Sequence, residues 1–338
     1  MPGVILVSDN TAGVHPDVLA AIAAANEGHA PSYGQDETTA RAHELFRAHF
    51  GEHAETVLAV TGTAANVIAL AAMVQPYDAV LCAETAHVFA DECNAPERFI
   101  GARLTAVRTP DGRITPQQVA AFAAGGGPPH AARPRAVSIA QPTELGTVYS
   151  LAELRAIADA AHEHGLLLHV DGARLANAAV ALGTGLAEAA SGADVVCVGG
   201  TKNGALAADA VVFLDPALAE PRRYLHKQAM QLLSKARFTS AQFVALLSGE
   251  LWRTNAENAN RAASRLAEVL TGISGTGPAL PVQTNAVFAD LPGHVVAALD
   301  GDGSRPGEGG LVRFMTAFDT TGADIERFGT ALHAAFTG

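Results

Sequence analysis

The chain is short of several residue types and patterns, and each shortage excludes a class of protein. Three cysteines, Cys82, Cys93 and Cys197, occur among 338 residues. An odd count at unrelated spacings makes no disulfide framework and predicts a reduced, cytoplasmic setting. No apolar run reaches the roughly 18 residues that a membrane-spanning helix needs, and no secretory leader is expected. Positive charge is scarce as well. A formal net charge of −12 argues against a nucleic-acid partner, which would need a basic face. Lysine is rarest of all, because the 22 basic residues include only Lys202, Lys227 and Lys235. Arginine therefore carries the surface charge, and a lysine in an apolar setting points to amine chemistry.

What is present is apolar and alternating. With 49% hydrophobic residues the chain can bury one large core or two unequal ones. The organising stretch is Gly165 to Gly204. It holds two short branched runs, Leu166–Val170 and Val195–Val198, with an alanine-rich helical segment between them. Such runs read as strands of a parallel sheet buried on both faces. The first ends in Asp171-Gly172 and the second passes through Gly199-Gly200-Thr201 to Lys202. Ligands bind at the carboxyl ends of the strands in an open α/β sheet, so this pair is a functional constellation.

Upstream, the same alternation repeats. A polar turn at Tyr33-Gly34-Gln35-Asp36 precedes a helix over 38–50. The strand 57–60 leads through Thr61-Gly62-Thr63 into a helix over 64–73, and free N–H groups at such a helix start suit an anion. Strands are predicted at 79–82, 104–107 and 136–140, and Ser150 caps a helix over 151–164 with Glu153 at the capping-box position. Val211–Leu214 reads as an antiparallel companion strand. The pattern predicts an α/β fold with a mostly parallel central sheet. Beyond Pro221, long helices are expected over 222–234 and 240–271, with Gly249 a weak point. Short strands at 281–282, 286–289 and 311–315 and a helix over 324–336 then make a smaller α+β unit. The expected division is a large domain over 12–245 and a small one over 250–338 joined by segment 1–11.

A lysine, a carboxylate and an anion-binding turn, in this order, meet the needs of pyridoxal phosphate. That cofactor takes a Schiff-base lysine, a carboxylate at its ring nitrogen and a phosphate site. Further matches to one family are Ser8-Asp9-Asn10, Tyr33-Gly34-Gln35-Asp36, Thr61-Gly62-Thr63-Ala64-Ala65-Asn66, Ala86-His87, HVDGAR at 169–174, GTKNG at 200–204 and Arg313. Spread over nearly the whole chain, they resemble the low-specificity L-threonine aldolases, pyridoxal-phosphate enzymes of fold type I, the aspartate-aminotransferase fold.

The resemblance implies roles. Lys202 forms the Schiff base, Asp171 holds the ring nitrogen, and His87 stacks on the ring. Gly62 and Thr63 hold the phosphate, with Arg237 reaching it from a neighbouring subunit of a homodimer or homotetramer. Ser8, Tyr33, Arg174 and Arg313 belong to the substrate site, where Ser8, Arg174 and Arg313 clamp the carboxylate. His130 lies near the β-hydroxyl, and His87, His130 or a bound water is its base. No metal is implied: His162, Glu163, His164 and His169 fit no helix-borne zinc spacing. Taken bare, His87 is as good a structural histidine, and Arg174 an ordinary partner of Asp171.

The implied reaction is retro-aldol cleavage of L-threonine or related β-hydroxy-α-amino acids to glycine and an aldehyde. The alternative is another pyridoxal-phosphate lyase, which eliminates a β-substituent to give pyruvate and ammonia. A nicotinamide dehydrogenase is disfavoured, because no G-x-G-x-x-G turn follows the first strand. Two departures from the family pattern stand out, the glycine-rich region Asp300–Gly310 and Glu144 in the loop TELGTVYS.

Overall fold

Branched apolar runs become the central strands of the computed structural model, which describes residues 6–127, 129–299, 305–306 and 311–337. The strands are β1 (Glu55–Ala59), β2 (Asp78–Ala83), β3 (Arg103–Val107), β4 (Arg133–Ala140), β5 (Leu167–Gly172), β6 (Val195–Gly199) and β7 (Asp209–Phe213). They form one seven-stranded sheet in the order β1-β7-β6-β5-β4-β2-β3. The pairs from β6 through β5, β4 and β2 to β3 are parallel, and β7 alone runs against its two neighbours. The fold is the expected mostly parallel α/β type, and β7 is the antiparallel companion its sequence suggested. Helices cover both faces, as a parallel sheet requires. Val80, Leu81, Val137, Leu168, Val170, Val196 and Val212 are fully buried. Among the covering helices, Phe46 meets Phe243 edge-on at 4.9 Å between ring centroids, a pairing worth about 1 kcal/mol beyond its area.

A second sheet comprises β8 (Ala286–Asp290), β9 (Arg305–Pro306) and β10 (Leu311–Met315), all antiparallel, in the order β8-β10-β9. It has its own core, in which Leu266, Leu270, Val287, Phe314 and Phe328 join Leu6 from the N-terminal segment. The Met315 N–H donates to Leu6 O at 2.7 Å, which ties that segment to β10.

Helix capping follows the local sequence. Ser150 and Glu153 form the reciprocal box at the start of Leu151–Glu163, and Thr61 accepts from Ala64 N–H at the start of Gly62–Met73. Three expectations need correction. The helix begun at Arg222 stops at Gln228, because Met230 takes a left-handed φ of 62° that ends a helix. The long helix divides into Arg237–Leu247 and Leu251–Thr271, with the break at Ser248-Gly249-Glu250. Residues 281–282 make no strand: Pro281 has no N–H to give, and Val282 packs on the small core instead. Of the segment 1–11, residues 1–5 lie outside the described residues. The same holds for the glycine-rich region 300–310, apart from Arg305–Pro306.

Candidate active site

The carboxyl rim of the large sheet collects the ionisable groups. β5 and β6 are parallel neighbours with Asp171 opposite Cys197. Asp171 therefore ends one strand while Lys202 follows the end of the next, in a single helical turn Thr201–Asn203. Glycine is forced here by close approach. A Cβ on Gly172 would strike the carbonyl oxygen of Cys197, and one on Gly199 that of Ala173. The helix Gly62–Met73 begins at the same rim, because Ala59 at the end of β1 lies opposite Asp209.

Asp171 is 7% exposed. Asn66 Nδ2 donates to its Oδ2 at 2.8 Å and Ala173 N–H to its Oδ1 at 3.0 Å. Burial opposes its charge, but the Asn66 amide, His87 and the Ala173 N–H together hold it below the usual carboxylate range. His169 shares its face of β5 and is fully buried, with Nδ1 2.9 Å from Ser138 Oγ and Nε2 3.3 Å from Cys197 Sγ. Burial drives its pKa down to about 4, so it stands neutral as a support.

Asn66 also donates to Glu92 Oε1 at 2.9 Å, and the same oxygen lies 2.7 Å from His87 Nδ1. One hydrogen-bonded chain thus joins His87, Glu92, Asn66 and Asp171. The Glu92 hydrogen bond, working against burial, raises the His87 pKa, and Asp171 adds to the rise. Lys202 is half-buried, and among the described residues no carboxylate lies within ion-pairing distance. The positive charge of Arg174 and then burial lower its pKa, against the pull of Asp9, Asp171 and Asp209. Asp209 is buried and accepts from the Thr201 hydroxyl at 2.9 Å, and burial pushes its pKa up to about 6.

Arg174 does not pair with Asp171. Its Nε and Nη2 grip the buried Asp9 at 2.6 and 2.9 Å, and Asn285 donates to the same carboxylate at 3.0 Å. Ser8 precedes that aspartate and accepts from Asn10 N–H at 3.2 Å. Arg313 reaches the carbonyl of Val7 at 3.4 Å, which brings β10 to the same N-terminal segment. Lys202, Asp171, His87, Arg174, Asp9 and Ser8 with Arg313 therefore converge, and Gly62-Thr63 lies on the same rim.

Three sequence candidates stand elsewhere. His130 is exposed in the turn that enters β4, at the amino end of the strands, and its N–H returns to Gly127 O. The strand between it and the rim spans eight residues, roughly 26 Å of extended chain, so within one chain His130 cannot serve as the base. The glycine- and proline-rich approach to it obscured that placement. Tyr33 is 49% exposed and lines a cavity of about 640 Å³ beside β1, with Lys227 Nζ 5.4 Å from its ring. Arg237 spends Nη1 on the carbonyls of Glu27 and Gly28 at 3.4 and 3.3 Å. Sequence reasoning missed Glu92, Asp209 and Asn285: Glu92 and Asn285 join partners 26 and 276 residues away, and Asp209 stands at an unmarked strand start. Asp9 had a signal, its place in Ser8-Asp9-Asn10.

The rim fits a pyridoxal-type group on its donor set: a buried anionic carboxylate, an ammonium of lowered pKa and an open helix start. Gly62 has no atom within 4 Å of a would-be Cβ, so the space there is open.

The fold is α/β with a buried carboxylate and a lysine at the carboxyl rim of its sheet, and comparison narrows the class. The Beta-eliminating lyase family matches residues 6–292. The chain is 45% identical over 327 residues to the low specificity L-threonine aldolase of Pseudomonas aeruginosa, covering 95% of this chain and 93% of that one. Its structure is similar to that of Leishmania major threonine aldolase, with a TM-score of 0.92 at 29% identity, covering 98% and 99%. An aspartate aminotransferase of Thermus thermophilus shares the fold at a TM-score of 0.71 and 19% identity, over 96% and 93%. The chain belongs to the Beta-eliminating lyase family.

Proposed function

We propose that the protein is an aldehyde-lyase of the threonine aldolase type, cleaving L-threonine, L-allo-threonine or related β-hydroxy-α-amino acids to glycine and an aldehyde with pyridoxal 5'-phosphate. The observation that carries the reading is the buried, anionic Asp171 beside the half-buried Lys202 on the rim, in a chain 45% identical to a named L-threonine aldolase. Bound there, the cofactor supplies an electron sink for the carbon that loses the aldehyde. Lys202 would hold it, through an amine that loses its proton more readily than an ordinary lysine does. Asp171 would hold the ring-nitrogen proton, Gly62 and Thr63 would offer N–H groups to the phosphate, and His87 would stand by the ring.

Arg174 keeps Nη1 for the substrate carboxylate while Asp9 grips its other side, and Ser8 and Arg313 complete the clamp. With His130 remote, His87 is the side chain to take the β-hydroxyl proton. Glu92 fixes its Nδ1, which leaves Nε2 for that proton. Tyr33 and Arg237, for which no hydrogen bond or ion pair to the cluster of their own chain stands among the described residues, are assigned to the site of a second copy in a homodimer or homotetramer. A cytoplasmic setting suits the reduced cysteines, and no helix among the described residues is long and apolar enough to cross a membrane.

The test is product analysis of the cofactor-loaded protein with L-threonine, together with borohydride reduction and peptide mapping. Glycine and acetaldehyde, with the pyridoxyl label on Lys202, are expected. Pyruvate and ammonia, or a label on Lys227 or Lys235, would overturn the reading.

A further inference from the structure

The loop after β4 is tied down more firmly than a connection requires. Thr143 N–H donates to Thr147 O at 2.9 Å, their hydroxyls meet at 2.7 Å, and Gly146 N–H returns to Thr143 O at 2.9 Å. Residues next to the small sheet clamp it from outside. The Thr284 hydroxyl donates to Gly146 O at 3.1 Å and Val148 N–H to Gln283 Oε1 at 2.9 Å. Gly146 has a φ of +77°, and a Cβ there would lie 2.8 Å from that of Ala286, so only glycine fits. Leu145 packs on Ala286, Phe288 and Met315. By strand alternation and register this is the face of the small sheet that carries Arg313.

Glu144 belongs to this clamped loop. Its buried carboxylate accepts the His87 N–H through Oε1 at 2.8 Å. His87 opens the short helix His87–Ala90, whose N-cap is Ala86 and has no side-chain cap. Glu144 thus satisfies, from 57 residues away, the first free N–H of a helix that no local side chain caps. Its Oε2 is buried without a hydrogen-bond partner among the described residues. The groups around it are His87, Asp171 of β5, Arg174, Cys82 of β2 and Tyr149. Burial, then the charge of Asp171, pushes its pKa up to about 7. A carboxylate in that setting costs stability that an apolar side chain would spare.

We propose that Glu144 is the positioning residue of His87: from the clamped loop it fixes the start of the His87–Ala90 helix, so that the imidazole keeps its hydrogen bond to Glu92 and its place beside Asp171 and Lys202. The proposal rests on the reading of His87 as part of the aldolase site, and it makes the β4 loop the link between that site and the sheet bearing Arg313.

Two variants of similar size separate position from charge. Glu144→Gln removes the charge and keeps an acceptor for the His87 N–H, whereas Glu144→Met removes both. The His87 ring is followed by NMR titration in protein saturated with pyridoxal phosphate, alongside kcat and KM for glycine release from L-threonine. In the parent and in Glu144→Gln, His87 should titrate above 6.5, the ordinary histidine value, and Glu144→Gln should keep most of kcat. In Glu144→Met, its titration should fall toward 6.5, with kcat down about 10- to 100-fold and KM little changed. Identical His87 titrations in the two variants would overturn the proposal, because charge alone would then be at work. A Glu144→Met protein that melts lower but keeps the parent titration would overturn it as a purely structural effect. A parent that releases no glycine would defeat the aldolase reading, while the His87 titrations would still decide the role of Glu144.

Discussion

At the scale of single residues, Asp171, Asp209 and Glu144 are carboxyl groups buried at the rim that differ in charge for physical reasons. Asp171 has two hydrogen-bond donors and positive neighbours, and it stays ionised despite burial. Asp209 has one hydroxyl donor and rises to about 6, and Glu144 rises to about 7. Asp171→Asn should leave the fold intact, because an amide can still meet Asn66 or Ala173, but it cannot hold a ring-nitrogen proton. Turnover should fall about 100-fold or more, and turnover within a few-fold of the parent would contradict the role. Glu144 gives a second prediction. Its folded pKa is raised above the ordinary 4.5, so between about 4.5 and 7 the folded protein binds more protons than the unfolded chain. Its contribution to stability is therefore present below that window and is lost as pH rises through it. The loss is on the order of 3 kcal/mol. Urea denaturation from pH 5 to 8 should show Glu144→Gln with a flatter decline than the parent; parallel curves would refute the assignment. The carboxyl group that holds the His87 N–H is thus ionised above neutrality at a cost in stability, a common exchange at active sites.

At the scale of elements, the site exists because β5 and β6 run side by side and finish within contact of each other's backbone. Gly172 and Gly199 permit this, and a Cβ on Gly199 would meet the backbone of Ala173. Gly199→Ala should destabilise the protein by about 1–3 kcal/mol, read as a lower urea midpoint, and should displace Lys202. An unchanged midpoint would show that the strands can part at little cost. The central strands were legible in the sequence because both faces are buried, which leaves unbroken branched runs such as Leu166–Val170. Asp171 and Lys202 were legible because charges standing at the ends of such runs are conspicuous. Glu92 and Asn285 were not, since each draws its role from a partner that only folding brings near, and Asp209 was not, since nothing marks it at the start of its strand. The end of the helix at Gln228 was hidden for a similar reason: Met230 at positive φ carries no glycine to mark the turn. His130 misled because a histidine in a loop does not reveal which end of the sheet the loop serves.

At the scale of the whole molecule, a single chain leaves Tyr33, Phe89, Phe99, Tyr224 and Met230 exposed. The helix Arg222–Gln228, which carries Tyr224, and the segment leading from it to Arg237 lie along the edge of the large sheet at β1, where Arg222 pairs with Glu55. Arg237 makes only long hydrogen bonds there, to the carbonyls of Glu27 and Gly28, and stands 5.1 Å from the Phe238 ring. Among the described residues no carboxylate pairs with it. A guanidinium held only by carbonyls and a ring is available to a phosphate. If a second copy brings its rim to this surface, Arg237 reaches that copy's phosphate and cofactor binding becomes linked to association. The parent should then sediment as a dimer or tetramer, and its cofactor affinity should fall on dilution through the dissociation range. Arg237→Ala should bind pyridoxal phosphate more weakly while keeping its secondary structure, with a cofactor loss that begins at higher protein concentration than in the parent. A fully active monomer, or an Arg237→Ala protein of unchanged cofactor affinity, would rule out a shared site and leave Gly62 and Thr63 to hold the phosphate within one chain.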